Sequence, residues 1–318
     1  MKIVFRTDAS NEIGAGHVMR CSAIIEEAVS RNIECVVVGR MGGLDWLETH
    51  LKTIGSGRVE DERNFQITPG RDVLIIDSYD LPITGSFIQA KNWRLVASIS
   101  DRGTPEYNAE LIIHPSIDFF TLEQTKAKLL TGRDYIPLRK SIFKSEPRMH
   151  SPALKIVVFG GGNDKYNFAP FMAKGLASKQ GFSTIVFFSR SVMEIESLDS
   201  RFDVKPFGPA LDTELESADL VFTTASTSSL EVIAREIPLG ICCVADNQIS
   251  YYEALTEHEV AAGIGKYLHS RYYDMNWDLI NQLMIDVSFR QRLQNKSKGF
   301  LDLFGSQRIL DEILNCLQ

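Results

Sequence analysis

The stretch Lys2–Cys21, KIVFRTDASNEIGAGHVMRC, decides the fold. KIVFRT reads as a short strand, and a glycine-rich turn follows it. HVMRCSAIIEEAVSR then places Val18, Cys21, Ile25, Ala28 and Val29 on one face of a helix, before IECVVVG forms a second, buried strand. Strand, helix and strand in that order make a βαβ unit, which joins parallel strands. DVLIID, RLVASIS and AELIIHP continue as apolar strands between helix-length segments, the pattern of a parallel sheet covered on both faces. A first Rossmann-like lobe is expected over residues 1–145.

The same grammar restarts after a polar, proline-marked segment, SEPRMHSPA at 145–153. LKIVVFGGGND opens the second lobe, expected over 154–318, and FSTIVFFS, ADLVFTTAS and LGICCVAD supply its further strands, with SSLEVIAREI as a helix. The C-terminal segment has a helical pattern, so its last helix can fold back onto the first lobe. The expected fold class is therefore α/β, with two doubly wound lobes facing a cleft at their strand C-termini.

The composition is that of a soluble globular protein, and the net charge of −7 argues against a nucleic-acid partner. No apolar stretch has the length of a membrane span, no signal-peptide pattern is seen at the front, and a cytoplasmic protein is expected. The five cysteines have neither zinc-site nor redox-pair spacing and read as reduced core residues.

A dinucleotide turn needs a third glycine where Met19 stands, and an acid at the end of the second strand, where VVVGR has none. The phosphate loop of P-loop nucleoside triphosphatases, G-x-x-x-x-G-K-[ST], and the nucleophile elbow of α/β hydrolases are also missing. What remains is Gly14-Ala15-Gly16-His17 between strand and helix. Gly16 permits close approach of a ligand, and a helix N-terminus favours the neutral imidazole at His17, a competent base. The bland alternative is a histidine that merely caps the helix. Asp8 before it and Arg20 after it favour catalysis.

In the second lobe, Ser226, Thr227, Ser228 and Ser229 stand at a helix start, where N–H groups and the dipole suit a phosphate. Glu231 can accept both hydroxyls of a ribose or close a capping box with Ser228. Gly161, Gly162 and Asn163 after the lobe's first strand, and Asn247 and Gln248 after a later one, lie on the same expected rim.

FRTDASNEIGAGHVMRC, LIIDSYDL, VFGGGND and ASTSSLEVIAREIPLGICCVADNQ, in this order, resemble the UDP-2,4-diacetamido-2,4,6-trideoxy-β-L-altropyranose hydrolases of pseudaminic acid biosynthesis and their spore-coat polysaccharide relatives. The resemblance spans about residues 2–265 and implies the GT-B fold, shared with the peptidoglycan N-acetylglucosaminyltransferase that makes lipid II. It further implies hydrolysis of a UDP-linked diacetamido-trideoxy-hexose to UDP and free sugar, with no metal or cofactor. His17 carries over as the base that activates water, Tyr79 as a sugar-pocket residue, and Asp8 and Asp77 as groups that position them. Gly14, Gly16 and Arg20 fall in the first motif, Glu231 carries over to the ribose, and Ser226, Thr227 and Ser228 to the diphosphate. His114 stands where many members have Asn, and Ala225-Ser226-Thr227-Ser228-Ser229-Leu230-Glu231 lacks the glycines of the family's Gly-Gly-Ser-Thr-x-Trp-Glu. The alternatives are a glycosyltransferase of the same fold, in which His17 deprotonates an acceptor hydroxyl, and a sugar-nucleotide-binding protein without turnover.

Overall fold

A computed structural model describes residues 1–78, 87–88, 92–101, 105, 107–119, 121–122, 125–143, 154–162, 164–189, 199–267 and 272–318. The chain divides into two compact units, Met1–Ser141 with Asp302–Gln318, and Ile142–Leu301. The segment read as a linker at 145–153 lies outside the described residues.

In the first unit, β1 (Lys2–Thr7), α1 (Gly16–Ser30), β2 (Glu34–Val38), α2 (Asp45–Thr53), β3 (Gly57–Val59), β4 (Val73–Asp77), β5 (Leu95–Ile99), β6 (Leu111–His114) and β7 (Lys128–Thr131) follow one another. The sheet order is β3-β2-β1-β4-β5-β6-β7, and every pairing is parallel. Successive side chains of β1 point to opposite faces. Ile3 and Phe5 pack with Val18, Cys21, Ile24 and Ile25 of α1, while Val4 packs with Leu74 and Ile76 on the other face. Two buried faces explain why these strands read as unbroken apolar runs.

The second unit runs β8 (Lys155–Phe159), α3 (Phe168–Leu176), β9 (Thr184–Phe188), β10 (Phe202–Lys205), α4 (Ala210–Glu216), β11 (Leu220–Thr224), α5 (Thr227–Ala234), β12 (Leu239–Cys243), α6 (Ile249–Glu257), β13 (Ala262–Tyr267), β14 (Tyr273–Met275), α7 (Trp277–Ile285) and α8 (Val287–Ser297). Its sheet order, β10-β9-β8-β11-β12-β13-β14, repeats that of the first unit, with β14 alone antiparallel to its neighbour. The last helix, α9 (Gly305–Asn315), belongs to the first unit. Its stripe of Ile309, Leu310 and Ile313 is fully buried in the cluster that holds Ile24, Ile25 and Ala28 of α1, and Arg31 and Asp311 pair at 2.5 Å beside it.

In each sheet the strand order reverses beside the first strand, between β1 and β4 and between β8 and β11. At such a reversal the connections leave to opposite faces, and the position outside the strand C-termini there is the usual ligand position in open α/β sheets. Thr7 pairs with Asp77 at the end of the first reversal, and Phe159 with Thr223 at the second.

Candidate functional site

β1 ends at Thr7, and the chain must turn before α1 can begin. Ser10 organises the turn: its carbonyl accepts the Gly14 N–H at 2.7 Å, and its hydroxyl accepts the N–H groups of Glu12 and Ile13 at 3.1 and 3.0 Å. Gly14 has φ +89°, a conformation that glycine adopts without strain. Gly16 is the first helical residue, and a Cβ added there would meet nothing within 4 Å. His17 follows it, with Arg20 three residues on along the same helix face.

Both side chains reach Asp77, the last residue of β4, whose side chain is wholly buried. Asp77 Oδ1 lies 2.6 Å from His17 Nδ1 and accepts from Arg20 Nη2 at 2.6 Å, while Oδ2 accepts from Arg20 Nε at 2.5 Å. Arg20 Nη1 donates to Asp101 Oδ2 at 3.2 Å, and the Cys21 thiol lies 3.7 Å from Asp77 Oδ2. Burial alone would raise the Asp77 pKa; the charges of Arg20 and then His17 outweigh it and hold the carboxyl down at about 2. An ionised carboxylate can only accept, so Nδ1 carries the imidazole proton and the lone pair of the neutral ring sits on Nε2. That is the tautomer a general base requires.

A carboxyl depressed in the folded state contributes stability above its ordinary value near 3.9 and loses it as pH falls through the folded value. Stability of the first unit is therefore expected to fall by roughly 2 kcal/mol between about pH 4 and pH 2 through Asp77. Urea melts across that range check this, and the Asp77-dependent part of the loss is absent from Asp77→Asn.

Arg20, grouped by sequence with the ligand contacts, is placed beneath His17 with its guanidinium on Asp77 and Asp101. Asp8 is held by Arg6 Nη1 at 2.7 Å and by the Arg40 N–H at 2.8 Å. With Ser10, Ile13, Arg6 and Arg63 it lines a cavity of about 470 Å³ whose charged walls suit a hydrophilic molecule. His114 ends β6, with Nδ1 2.6 Å from the Ser100 carbonyl oxygen, and burial lowers its pKa. Tyr79 lies outside the described residues, as does Asn163 of the second unit. Sequence reading overlooked Asp101, although an acid just past the end of a buried strand, SISD, carried the signal.

In the second unit, Gly160, Gly161 and Gly162 follow β8. The Asp164 carboxylate accepts the N–H groups of Phe168 and Ala169 at 2.7 and 2.9 Å, so it already satisfies the start of α3. Gly160 makes room for it, since a Cβ there would lie 1.8 Å from Asp164 Oδ1. The next strand over, β11, ends in a hydroxyl-rich turn in which Ser226 is the N-cap residue of α5 and makes no side-chain capping bond. A Cβ on Gly161 would lie 3.7 Å from both Ser226 Oγ and Thr224 Oγ1, which puts the glycine loop against that turn. With Ser226 at the cap, the capping-box position falls on Ser229, not on Glu231. Ser228 and Glu231 thus form no box, and half-buried Glu231 lies further along α5. Asn247 is exposed in the turn after β12, where Gln248 Oε1 accepts the Val244 N–H at 3.1 Å.

No protein-family model matches the chain. It is 24% identical over 257 residues to the UDP-N-acetylglucosamine–N-acetylmuramyl-(pentapeptide) pyrophosphoryl-undecaprenol N-acetylglucosamine transferase of Campylobacter jejuni subsp. doylei, covering 70% of this chain and 73% of that protein. Among solved structures it resembles the glycotransferase of kitacinnamycin, with a TM-score of 0.66 at 13% identity over 100% of this chain and 99% of that one. Acinetobacter baumannii MurG matches with a TM-score of 0.57 at 13% identity, over 99% of this chain and 100% of that one. These matches correct the expectation of a UDP-sugar hydrolase. The named relatives are transferases, and none of them supports the narrower resemblance to the diacetamido-trideoxy-altropyranose hydrolases. The chain has the GT-B glycosyltransferase fold, with two parallel-sheet α/β domains.

Proposed function

We propose that the chain is a glycosyltransferase that moves a sugar from a UDP-sugar donor to the hydroxyl of a polar acceptor. The observation that carries this reading is the His17–Asp77 pair at 2.6 Å, set at the strand-order reversal of the first unit. His17 Nε2 takes the proton of the acceptor hydroxyl, and Asp77 holds the ring and balances the imidazolium that forms. The acceptor oxygen bonds to the anomeric carbon, the bond from that carbon to the diphosphate breaks, and its electron pair leaves with UDP. The charged cavity that contains Asp8 and Ser10 favours a hydrophilic acceptor head.

Donor binding falls to the second unit. Gly161 and Gly162, with Ser226, Thr227 and Ser228 at the start of α5, supply backbone N–H groups and hydroxyls for the diphosphate. Asp164 already occupies the start of α3, whereas Ser226 at the start of α5 makes no side-chain capping bond. Glu231 takes the ribose hydroxyls, and Asn247 and Gln248 border the same rim. The named donor of the Campylobacter transferase, UDP-N-acetylglucosamine, supports UDP as the nucleotide.

UDP alone is expected to bind with a dissociation constant in the micromolar to millimolar range. Glu231→Ala is expected to weaken it about tenfold, the loss of one or two hydrogen bonds to a charged group. Calorimetry with both proteins reads this, and unchanged affinity would remove Glu231 from the site. Because helix N–H groups and hydroxyls meet the diphosphate charge, transfer is expected to persist in EDTA. The overall test is incubation with a panel of UDP-sugars, with and without sugar or lipid acceptors, and quantification of UDP. Release that depends on an acceptor supports transfer.

A further inference from the structure

The buried polar band at the first unit's strand C-termini continues past the His17–Asp77 pair. Arg20 spans two carboxylates, with Nε and Nη2 on Asp77 and Nη1 on Asp101. Its side chain is 3% exposed and that of Asp101 14%, so water screens these charges little. Arg20 Nη2 also lies 3.3 Å from His17 Nδ1, which puts the guanidinium charge directly beside the imidazole. The electrostatic setting of His17 therefore depends on what Arg20 faces on its far side, and among the described residues that group is Asp101.

We propose that Asp101 is a positioning residue for His17, acting through Arg20. It pulls the guanidinium into register with Asp77 and offsets its charge, so that the imidazole feels two carboxylates against one cation. The proposal rests on the reading of His17 as the base. Among the described residues, the other titratable groups around the Asp77–Arg20–Asp101 cluster are the Cys21 thiol of α1, the Tyr107 hydroxyl 2.8 Å from Ser98 Oγ of β5, and His114 at the end of β6. Cys21 and Tyr107 are pushed upward chiefly by burial, Tyr107 to about 12, and His114 is lowered by burial. All three are thus neutral near pH 7. Among the described residues, Asp77, Arg20 and Asp101 remain as the charges nearest His17.

Asp101→Asn keeps the shape and an oxygen for Arg20 Nη1 while removing one negative charge. The imidazolium loses part of its support, and the His17 titration is expected to move down by about half a unit to one unit. Asp101→Glu keeps the charge and is expected to restore the wild-type midpoint. The measurement is histidine ring NMR against pH on the full chain without substrate, with the His17 signal assigned by its loss in His17→Gln. Circular dichroism confirms folding of each variant. A His17 midpoint unmoved in Asp101→Asn, or moved equally in Asp101→Glu, overturns the proposal. The acidic limb of kcat should shift by the same amount when transfer is assayed. A shift in the NMR titration without any transferase activity would contradict the functional reading and leave the role of Asp101 intact, so the two can fail separately.

Discussion

His17→Asn is expected to lower kcat for sugar transfer by roughly 10²- to 10⁴-fold while leaving UDP affinity within about twofold of wild type. The reason is a division of labour. His17 stands in the first unit on the second residue of α1, whereas the groups assigned to UDP lie in the second unit. Asparagine retains a donor for Asp77 but offers no basic nitrogen, so the loss reports the base and not the fold. Steady-state kinetics together with UDP calorimetry separate the two. Near wild-type kcat in this variant would reduce His17 to a helix-start residue and return the search for a base to the rest of the rim.

Asp77→Asn is expected to have the second largest effect, and on two quantities at once. Arg20 would keep Asp101 but lose the carboxylate that binds it through two nitrogens, leaving a buried cation without its closest carboxylate. Breaking a buried pair from one side costs about 3–5 kcal/mol, which lowers the urea midpoint of the first unit accordingly. A neutral amide also cannot enforce the proton on His17 Nδ1, so kcat falls by on the order of 10²-fold or more even in the molecules that remain folded. His17→Asn, by contrast, leaves the Arg20–Asp77 bonds in place and is expected to cost much less stability. The comparison separates the positioning role of Asp77 from the base itself.

Much of this arrangement was legible in the residues. The strands buried on both faces announced themselves as apolar runs, VLIID and KIVVF among them, because a parallel sheet covered by helices leaves no face to water. The strands the sequence concealed are short or edge elements: GRV of β3, KLLT of β7, FDVK of β10 and YDM of β14. Each is broken by charge or glycine, as edges that must resist further pairing tend to be. Gly263 and Gly265 likewise masked β13, AGIGKY, which lacks the apolar continuity of its neighbours.

The site divides the same way. His17 was visible because a glycine turn and a helix start flank it in sequence, and Ser226–Ser229 because hydroxyls cluster at a helix start. The bridge from Arg20 to Asp101 was invisible, since it joins residues 81 apart and exists only through the register of β1, β4 and β5. The capping-box alternative for Glu231 depended on which serine starts α5. Local spacing allowed Ser228, and the backbone chose Ser226.

The central claim is that the sugar goes to an acceptor hydroxyl and not to water. It is tested most directly by running the reaction in ¹⁸O-enriched water with the best UDP-sugar and acceptor from the panel and weighing the sugar product by mass spectrometry. Transfer predicts a product with the mass of the acceptor plus one glycosyl residue, the free sugar less one water, and no ¹⁸O at the anomeric position. Free sugar carrying ¹⁸O at that carbon, formed at the same rate whether or not the acceptor is present, would contradict the account.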